Sequence, residues 1–199
     1  MNTYKAYKLR IYPTDLKRGL IEKSFGSTRY IYNNFLAERK SKYEEGKTKV
    51  NVFERLKELT DLKKEKEWLR EIDSCALQAC VYNLDDAFQN IFKGNGYLRF
   101  KTNNTLNTYK NKKYESIKID FNKRIITLPK LKEVKFRGYR TTKEIIGKIK
   151  SATISKDANK YFVSTLVEVP FITYSLKPTS IVGLDLVIKN FIVTLHGEN

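Results

Sequence analysis

The hydrophobic periodicity changes from helical to stranded near Gly94, and this change limits the chain to a mixed fold. Before Gly94, apolar residues recur every three or four positions, which predicts amphipathic helices. These helices are predicted over residues 14–45, 53–62 and 73–93, and Gly94 suits the left-handed position after the last one. After Gly94, apolar and polar side chains alternate as they do in β-strands, in ESIKIDF, RIITLP and LKEVKFR. The sequence therefore predicts an α+β fold.

The three predicted helices separate one strand from all the others. Residues 3–12 alternate apolar and basic side chains until Pro13, and residues 145–155 and 160–169 are predicted to form a further strand pair. The intervening polar run is predicted to be a loop or an arm; it reads TNNTLNTYKNKK. The simplest arrangement is a small β-barrel whose first two strands are separated by a helical insertion. A second domain is predicted to begin at about residue 180.

Positive charge is concentrated in the middle of the sequence. The 199 residues include 39 Lys and Arg against 22 Asp and Glu, a formal charge of +17. Residues 1–92 carry +4, residues 93–150 carry +13 and residues 151–199 carry no net charge. The basic segment also contains Tyr97, Phe100, Tyr109 and Tyr114. Aromatic rings between basic side chains suit phosphate neutralisation combined with base stacking, so nucleic acid is the predicted partner.

Two other interpretations of the basic segment remain open. It could be a solvated barrel face whose aromatic rings point into the core, or it could bind an acidic membrane surface. The second is less favoured because the segment is predicted to form strands rather than an amphipathic helix. No apolar run approaches the ~18 residues of a membrane-spanning helix. The N-terminus has no secretory signal pattern, so a cytoplasmic protein without a membrane partner is expected.

Asp185 is the most informative single residue for chemistry. It lies in the otherwise apolar segment IVGLDL, where a buried carboxylate is costly unless it is paired or binds a cation. An Asp in such a strand can bridge two Mg²⁺ ions in phosphodiester-cleaving enzymes. The commoner explanation is an Asp at a strand end that faces solvent or pairs with a lysine, for example Lys189. The chain has one His, His196, and no CxxC, so no zinc site is predicted.

Five segments occur in an order that resembles the transposon-associated TnpB (OrfB) family and the related compact type V CRISPR effectors. They are YKLRIYPTDLKRGLIEKSFGSTRYIYNNFLAER, DSCALQACVYNLDDAFQNIFKG, YLRFKTNN with TYKN, IITLPKLKEVKFRGYR, and VGLDLVIKNFIV. The resemblance covers nearly the whole chain, as the N-terminal half of such a protein. It implies an RNA-guided DNA endonuclease that binds a guide RNA and double-stranded target DNA, with base pairing supplying sequence specificity.

The resemblance also implies a domain order. A wedge domain, an oligonucleotide-binding-like barrel, would comprise residues 1–12 and 95–178. A three-helix recognition insertion would comprise residues 13–94. The start of a RuvC (RNase H-like) nuclease domain, its first β-hairpin, would comprise residues 180–199.

The family's functional residues transfer to several positions. Asp185 aligns with the first catalytic and Mg²⁺-binding aspartate. Ser74 and Gln78, at the start of the third helix and off its apolar stripe, would lie near the target-adjacent DNA duplex, where Gln suits reading of adenine edges. Arg99 and Lys101 would bind phosphate, with Phe100 in the core. The arm that would also approach this DNA comprises Thr108, Tyr109, Lys110 and Asn111.

Two departures from the family pattern concern catalysis. Val187 stands where the family commonly has Gly, and the other two RuvC acids and the zinc-ribbon cysteines would lie beyond residue 199. Alone, the chain is expected not to cut DNA.

Three hypotheses follow: a truncated TnpB-like protein that binds RNA and DNA, a nuclease subunit completed by carboxylates of a partner chain, or a general structural RNA-binding protein in which Asp185 is incidental.

Overall fold

The structure, a computed structural model, describes residues 2–46, 51–94, 97–102, 107–112, 114–137, 147–170, 184–185 and 193–194. Three α-helices lie where the apolar spacing predicts them: α1 (Asp15–Glu44), α2 (Val52–Glu65) and α3 (Ser74–Phe92). A 3-10 turn (Glu67–Glu71) joins α2 to α3. The Asp73 side chain caps α3 by accepting a hydrogen bond from the backbone N–H of Cys75, and Gly94 follows the helix with φ of 81°.

Seven strands form one antiparallel sheet in the order β2-β6-β7-β1-β5-β4-β3. They are β1 (Asn2–Tyr12), β2 (Thr108–Asn111), β3 (Lys118–Asp120), β4 (Ile125–Leu128), β5 (Lys132–Arg137), β6 (Lys148–Asp157) and β7 (Lys160–Pro170). Strand β1 lies at the centre, between β7 and β5. The sheet therefore takes its central strand from before the helices and its other six strands from after them.

The predicted barrel is corrected to an open sheet. Among the described residues, the edge strands β2 and β3 do not pair with each other, and they are only four and three residues long. A second, two-stranded sheet pairs β8 (Leu184–Asp185) with β9 (Val193–Thr194) in antiparallel register. The paired residues belong to the segments IVGLDL and FIVTLH, within the hairpin that the family resemblance implies for residues 180–199.

Helix α1 connects two hydrophobic cores. Its first half contributes Ile21 and Phe25 to the core that lies against the sheet. Its second half contributes Ile31 and Phe35 to a core shared with α2 and α3, and Leu20 packs against both clusters. One helix therefore fixes the position of the helical region relative to the sheet.

Small side chains allow α1 and α3 to approach closely. The hydroxyls of Ser24, Ser27 and Thr28 are buried, and each donates to a carbonyl one turn earlier in α1. The Cys80 thiol of α3 donates to the carbonyl oxygen of Thr28 at 3.1 Å. Burial raises the pKa of Cys80 to about 11, so this thiol stays protonated at neutral pH. Of the helices that the structure describes, none has both the length and the hydropathy needed to cross a bilayer.

Candidate nucleic-acid interface

The side of the sheet that faces away from the core carries a group of cations and rings, which we name the outer basic face. Strand alternation produces it, because Leu9 and Ile11 are buried while the residues between and beside them point outward. Residues of the two strands that pair with β1 complete the group: Arg10 lies between Phe162 of β7 and Arg137 of β5. The outer basic face consists of Lys8, Arg10, Tyr12, Lys135, Arg137 and Phe162.

Three of the four cations of this face lie against aromatic rings. The ammonium nitrogen of Lys8 is 4.6 Å from the centroid of Phe162. The guanidinium carbons of Arg10 and Arg137 are 5.0 Å and 5.7 Å from the centroid of Tyr12. Such contacts orient a cation without neutralising its charge. Within the described part of the chain, none of the four cations forms an ion pair with a carboxylate.

The predicted arm is partly a strand, which corrects its secondary structure. Residues 108–111 form edge strand β2 and pair with β6, so their side chains alternate between interior and surface. Tyr109 is 8% exposed and packs edge-to-face on Phe25, with ring centroids 5.7 Å apart. Burial raises the pKa of Tyr109, while a hydrogen bond with Ser24 acts in the opposite direction. The prediction that the Tyr109 ring contacts nucleic acid is therefore corrected to a packing role.

Asn111 is likewise an interior residue rather than a surface contact. It is 1% exposed, and its Nδ2 donates to Asp73 Oδ2 at 2.9 Å. Because Asp73 also caps α3, this bond fixes β2 to the start of that helix. Thr108 and Lys110 occupy the outward positions of the strand, opposite Ser155 and Thr153. These two residues remain the predicted contacts of the arm.

In the RFK segment, Arg99 to Lys101, the first two residues are exposed and the third contacts helix α1. Arg99 is exposed, and Phe100 is 48% exposed with the Lys40 ammonium 4.7 Å from its ring, so the prediction that Phe100 is in the core is wrong. Lys101 is half-buried, and the Asn33 side chain accepts from its backbone N–H and donates to its carbonyl oxygen, each at 2.8 Å. Its ammonium lies 4.1 Å from the Tyr32 centroid. Lys101 thus attaches this segment to α1.

A narrow cleft brings two of the predicted residues together. Lys101 and Thr108 both line a cavity of about 20 Å³ between α1 and the segment that follows α3. Arg29 of α1 lines the same cleft and adds a second cation. The α1 contribution was not predicted, because Arg29 lies between residues of the apolar stripe and resembles an ordinary surface position.

The exposed side of α3 is a separate surface. Ser74 and Gln78 are exposed one turn apart, whereas Leu77 is fully buried, which confirms that the two polar residues lie off the apolar stripe. The Ser74 hydroxyl accepts a hydrogen bond from the Lys63 ammonium at 2.7 Å. This surface offers polar groups rather than a concentration of charge.

Asp185 lies in the two-stranded sheet, where its backbone pairs with Val193. The structure does not describe its side chain, and Val187 lies outside the described residues. Among the residues that are described, no group of three or more His, Cys, Asp or Glu side chains could hold a metal ion. The described residues therefore do not by themselves fit a two-metal Mg²⁺ site, which needs several oxygen ligands.

The main contacts that the sequence analysis missed are those of the outer basic face. Its signal is visible in the first strand, where YKAYKLRIY alternates rings and cations, but the pattern by itself predicts only a half-buried strand. The contributions of Lys135, Arg137 and Phe162 depend on which strands become neighbours of β1, and the sequence does not specify this pairing.

One family model and three relatives match this chain. The model of the OrfB_IS605 helix-turn-helix domain matches residues 1–48, the region of β1 and α1. Two relatives bear the name "Putative RNA-guided DNA endonuclease". InsQ of Escherichia coli (strain K12) is 26% identical over 93% of this chain and 46% of its own length. A protein of Streptomyces pristinaespiralis is 30% identical over 98% of this chain and 48% of its own length. The virulence protein VsdF of Salmonella dublin is 32% identical over 48% of this chain and 88% of its own length.

This chain spans about half the length of the two endonuclease-named relatives. Nearly all of its residues are covered by each of those alignments, and the domain match coincides with the strand and helix that organise the fold. On this evidence the chain belongs to the TnpB (OrfB) family.

Proposed function

We propose that this chain binds the guide RNA of a TnpB-type RNA-guided DNA endonuclease through its outer basic face. The observation that carries the proposal is the set of four cations on that face. Three of them lie against rings, and among the described residues none pairs with a carboxylate. Cations that are not neutralised within the protein retain their attraction for phosphates. Exposed rings beside them provide stacking surfaces for unpaired bases.

We further propose that the exposed side of α3 lies toward target-adjacent DNA. Gln78 can accept from and donate to a base edge at the same time, which suits recognition of adenine, and Ser74 can contact a base or a phosphate. The bond between Asn111 and Asp73 fixes this end of α3 relative to β2, so Lys110 on β2 is proposed to contact the backbone of the same duplex.

The topology supports the wedge and recognition assignment as a proposal. Strand β1 precedes the helical region in the sequence, and its partners β5 and β7 follow it. This pairing is expected if residues 13–94 are an insertion into a domain of residues 1–12 and 95–178. Residues 180–199, which include the β8–β9 pair, are proposed to be the start of the RuvC-like domain.

Asp185 is proposed as one carboxylate of the nuclease centre. When bound, Mg²⁺ would supply positive charge at the phosphodiester that is cut. Because one carboxylate does not hold two such ions, DNA cleavage requires further carboxylates, and a partner chain that supplies them is one proposed source. Cleavage is therefore a proposal for the complete assembly, and binding is the activity proposed for the residues described above.

Neutralising part of the outer basic face tests the RNA-binding proposal. The variant carries Lys8→Gln, Arg10→Gln and Lys135→Gln, and its affinity for a fluorescent 12-mer of oligouridylate is measured by anisotropy between about 50 and 200 mM salt. If each cation contacts one phosphate, the slope of log affinity against log salt should decrease by about 2. Affinity at low salt is expected to fall by about tenfold or more.

A matched variant removes three cations from the helical region. It carries Lys23→Gln, Lys57→Gln and Lys64→Gln, all exposed positions, and should retain the wild-type slope. Equal losses in the two variants would refute the assignment to the outer face. The RNA that copurifies with the chain distinguishes a guide from general binding: one defined RNA species is expected, and a heterogeneous mixture would favour a general RNA-binding protein.

A further inference from the structure

An open pocket lies at one end of the outer basic face. It encloses about 460 Å³ where β1 ends and where β4 and β5 run beside it. Its described lining contains four cations and two rings and has no carboxylate. The lining residues are Tyr12, Lys123, Arg124, Lys135, Phe136 and Arg137. This composition suits a ligand that carries both negative charge and a flat apolar surface.

The backbone places Arg124, one of the pocket's cations, in a tight turn. Arg124 has φ of 54°, in the left-handed region that Gly occupies at little cost and that other residues seldom adopt. The turn before it is held by a hydrogen bond from the Lys123 N–H to Asp120, and the Arg124 carbonyl accepts from Phe136 N–H at 2.9 Å. Lys130 and Lys132 share this left-handed backbone without lining the pocket, so the geometry does not itself assign a role to Arg124, but it allows Gly to replace Arg124 without strain.

Tyr12 presents an accessible ring at the pocket wall. The ring is 42% exposed although Tyr12 is paired to Lys135 through the backbone of β5. The guanidinium groups of Arg10 and Arg137 lie within 6 Å of its centroid and restrict its orientation. A base that enters the pocket therefore meets an exposed ring whose movement these two side chains limit, which lowers the entropy cost of binding.

We propose that this pocket captures one unstacked nucleotide of a single-stranded RNA segment. The base stacks on Tyr12, and the phosphates on either side of it contact Lys123, Arg124, Lys135 and Arg137. An acidic peptide would satisfy the cations but not the ring, and a base inside a duplex already has both faces stacked. The inference rests on the proposed RNA binding and adds the site at which a base, rather than only the backbone, is held.

Two substitutions at Tyr12 test the stacking contact in the full-length chain. The probes are a 12-mer of oligouridylate and an abasic 12-mer with the same sugar-phosphate backbone. Tyr12→Leu should weaken oligouridylate binding by about 5-fold or more, as expected for loss of one base stack, and should leave abasic binding within about 2-fold. Tyr12→Phe should retain wild-type affinity because it retains the ring. Tyr4→Leu is the matched control, since Tyr4 is exposed on the same strand but does not line the pocket.

Arg124→Gly tests the cationic side of the pocket without endangering the fold. Gly relieves the left-handed strain, so the melting temperature should stay equal or rise, while binding of both probes falls. Lys130→Gly is the control: Lys130 also has a positive φ, of 62°, and carries the same charge, but it does not line the pocket. Its effect on binding should be smaller than that of Arg124→Gly.

The outcomes separate this inference from the proposed function. If wild-type protein binds neither probe, both proposals fail. If it binds both with a steep salt dependence but Tyr12→Leu behaves as Tyr4→Leu, or Arg124→Gly as Lys130→Gly, only the nucleotide pocket is refuted. Free 5′-UMP should compete only at concentrations at least about 100-fold above that of the oligouridylate. Equal competition would assign the pocket to a mononucleotide and overturn capture from a chain.

Discussion

In the helical region Arg39 and Arg55 lie against rings and also pair with carboxylates of neighbouring helices. On the outer basic face Lys8, Arg10 and Arg137 lie against rings but, among the described residues, have no carboxylate partner. Arg39 of α1 pairs with Asp85 of α3 at 2.8 Å, and Arg55 of α2 pairs with Glu38 of α1 at 2.5 Å. Burial would raise the pKa of Glu38, but hydrogen bonds and charge from Lys42 and Arg55 lower it. The Arg55 side chain is 5% exposed, so its charge serves packing between helices rather than a ligand.

The difference shows that net charge alone does not locate a binding surface. A cation paired with a carboxylate adds little to the field around the molecule, while a cation held against a ring keeps its full charge and loses side-chain freedom. The sheet therefore combines positive potential with fixed geometry, and the helical region uses comparable residue types to hold its own elements together. The predictions below test this division.

The largest expected effect is on the helical core. Leu77→Ala, at a fully buried position of that core, should lower the free energy of unfolding by about 2–5 kcal/mol through lost burial and a cavity. Because α1 contributes to both cores, we expect one cooperative denaturant transition that shifts as a whole. Leu16→Ala is the control, since Leu16 is 90% exposed. Two transitions, with only one shifted, would show that the regions are energetically independent.

The next effect concerns α3 as a DNA-facing surface. If Gln78 reads a base edge, Gln78→Ala should reduce discrimination between target-adjacent duplexes by about 1–3 kcal/mol. Affinity for oligouridylate should stay within about 2-fold, because Gln78 is not on the outer basic face. Selection from a randomised duplex library in the presence of bound RNA measures the preference. A loss of RNA affinity instead would place RNA on the helical side and remove the division between the two surfaces.

A smaller effect is expected at the bond that joins the two regions. Asp73→Ala removes the cap of α3 and one partner of Asn111, and should cost about 1–2 kcal/mol. Amide hydrogen exchange should accelerate in β2 and in the first turn of α3 while β5 is unaffected. Asp86→Ala, at an exposed position of the same helix, is the control and should leave exchange unchanged. Equal acceleration in the two variants would refute the role of this bond.

The smallest effect is a pH-dependent contact between α1 and the sheet. Glu22 accepts hydrogen bonds from Lys156 at 2.8 Å and from Tyr161 at 2.7 Å. Burial would raise the pKa of Glu22, but these bonds outweigh it and lower the pKa below the usual 4.5. The stabilisation that ionised Glu22 gives the folded state is therefore present above pH 4.5, and it is lost as the pH falls through the folded-state pKa of Glu22.

Glu22→Gln measures this contribution. Because the pair is partly exposed, the variant should lose less than about 1 kcal/mol at neutral pH, and its stability should approach that of wild type in acid. Denaturant unfolding at pH 7 and pH 3 provides the comparison, with Glu54→Gln on α2 as the control. A difference that is independent of pH would assign the effect to packing rather than to charge.

The helices could be predicted from the sequence because their signals are local. Apolar residues repeat along a single face, and Asp73 and Gly94 mark the two ends of α3. Strand β2 was not predicted because its four residues include one apolar side chain, and its conformation depends on pairing with β6. The burial of Asn111 was equally hidden, since its partner Asp73 lies 38 positions away.

The architecture and part of the candidate site depend on contacts between distant segments. Whether a sheet closes into a barrel depends on its edge strands, which no local pattern specifies, and here β2 and β3 remain apart. The pocket takes Tyr12 from before the helices and Arg124 and Arg137 from after them. The Asp185 segment could be predicted as a strand, whereas its ligand role depends on neighbours that its own sequence does not reveal.

The central position of β1 has a consequence for synthesis of the protein. This strand is translated before the other strands of the sheet, yet its partner β5 begins at Lys132, about 120 residues later. At about 5–20 residues per second, β1 waits roughly 6 to 24 seconds before either of its edges can be covered. During that interval Lys5, Lys8 and Arg10 keep an unpaired strand charged, which discourages pairing with other nascent chains. Two of them, Lys8 and Arg10, belong to the outer basic face, so charges proposed to hold RNA in the finished molecule are also of the kind that opposes aggregation of a growing chain.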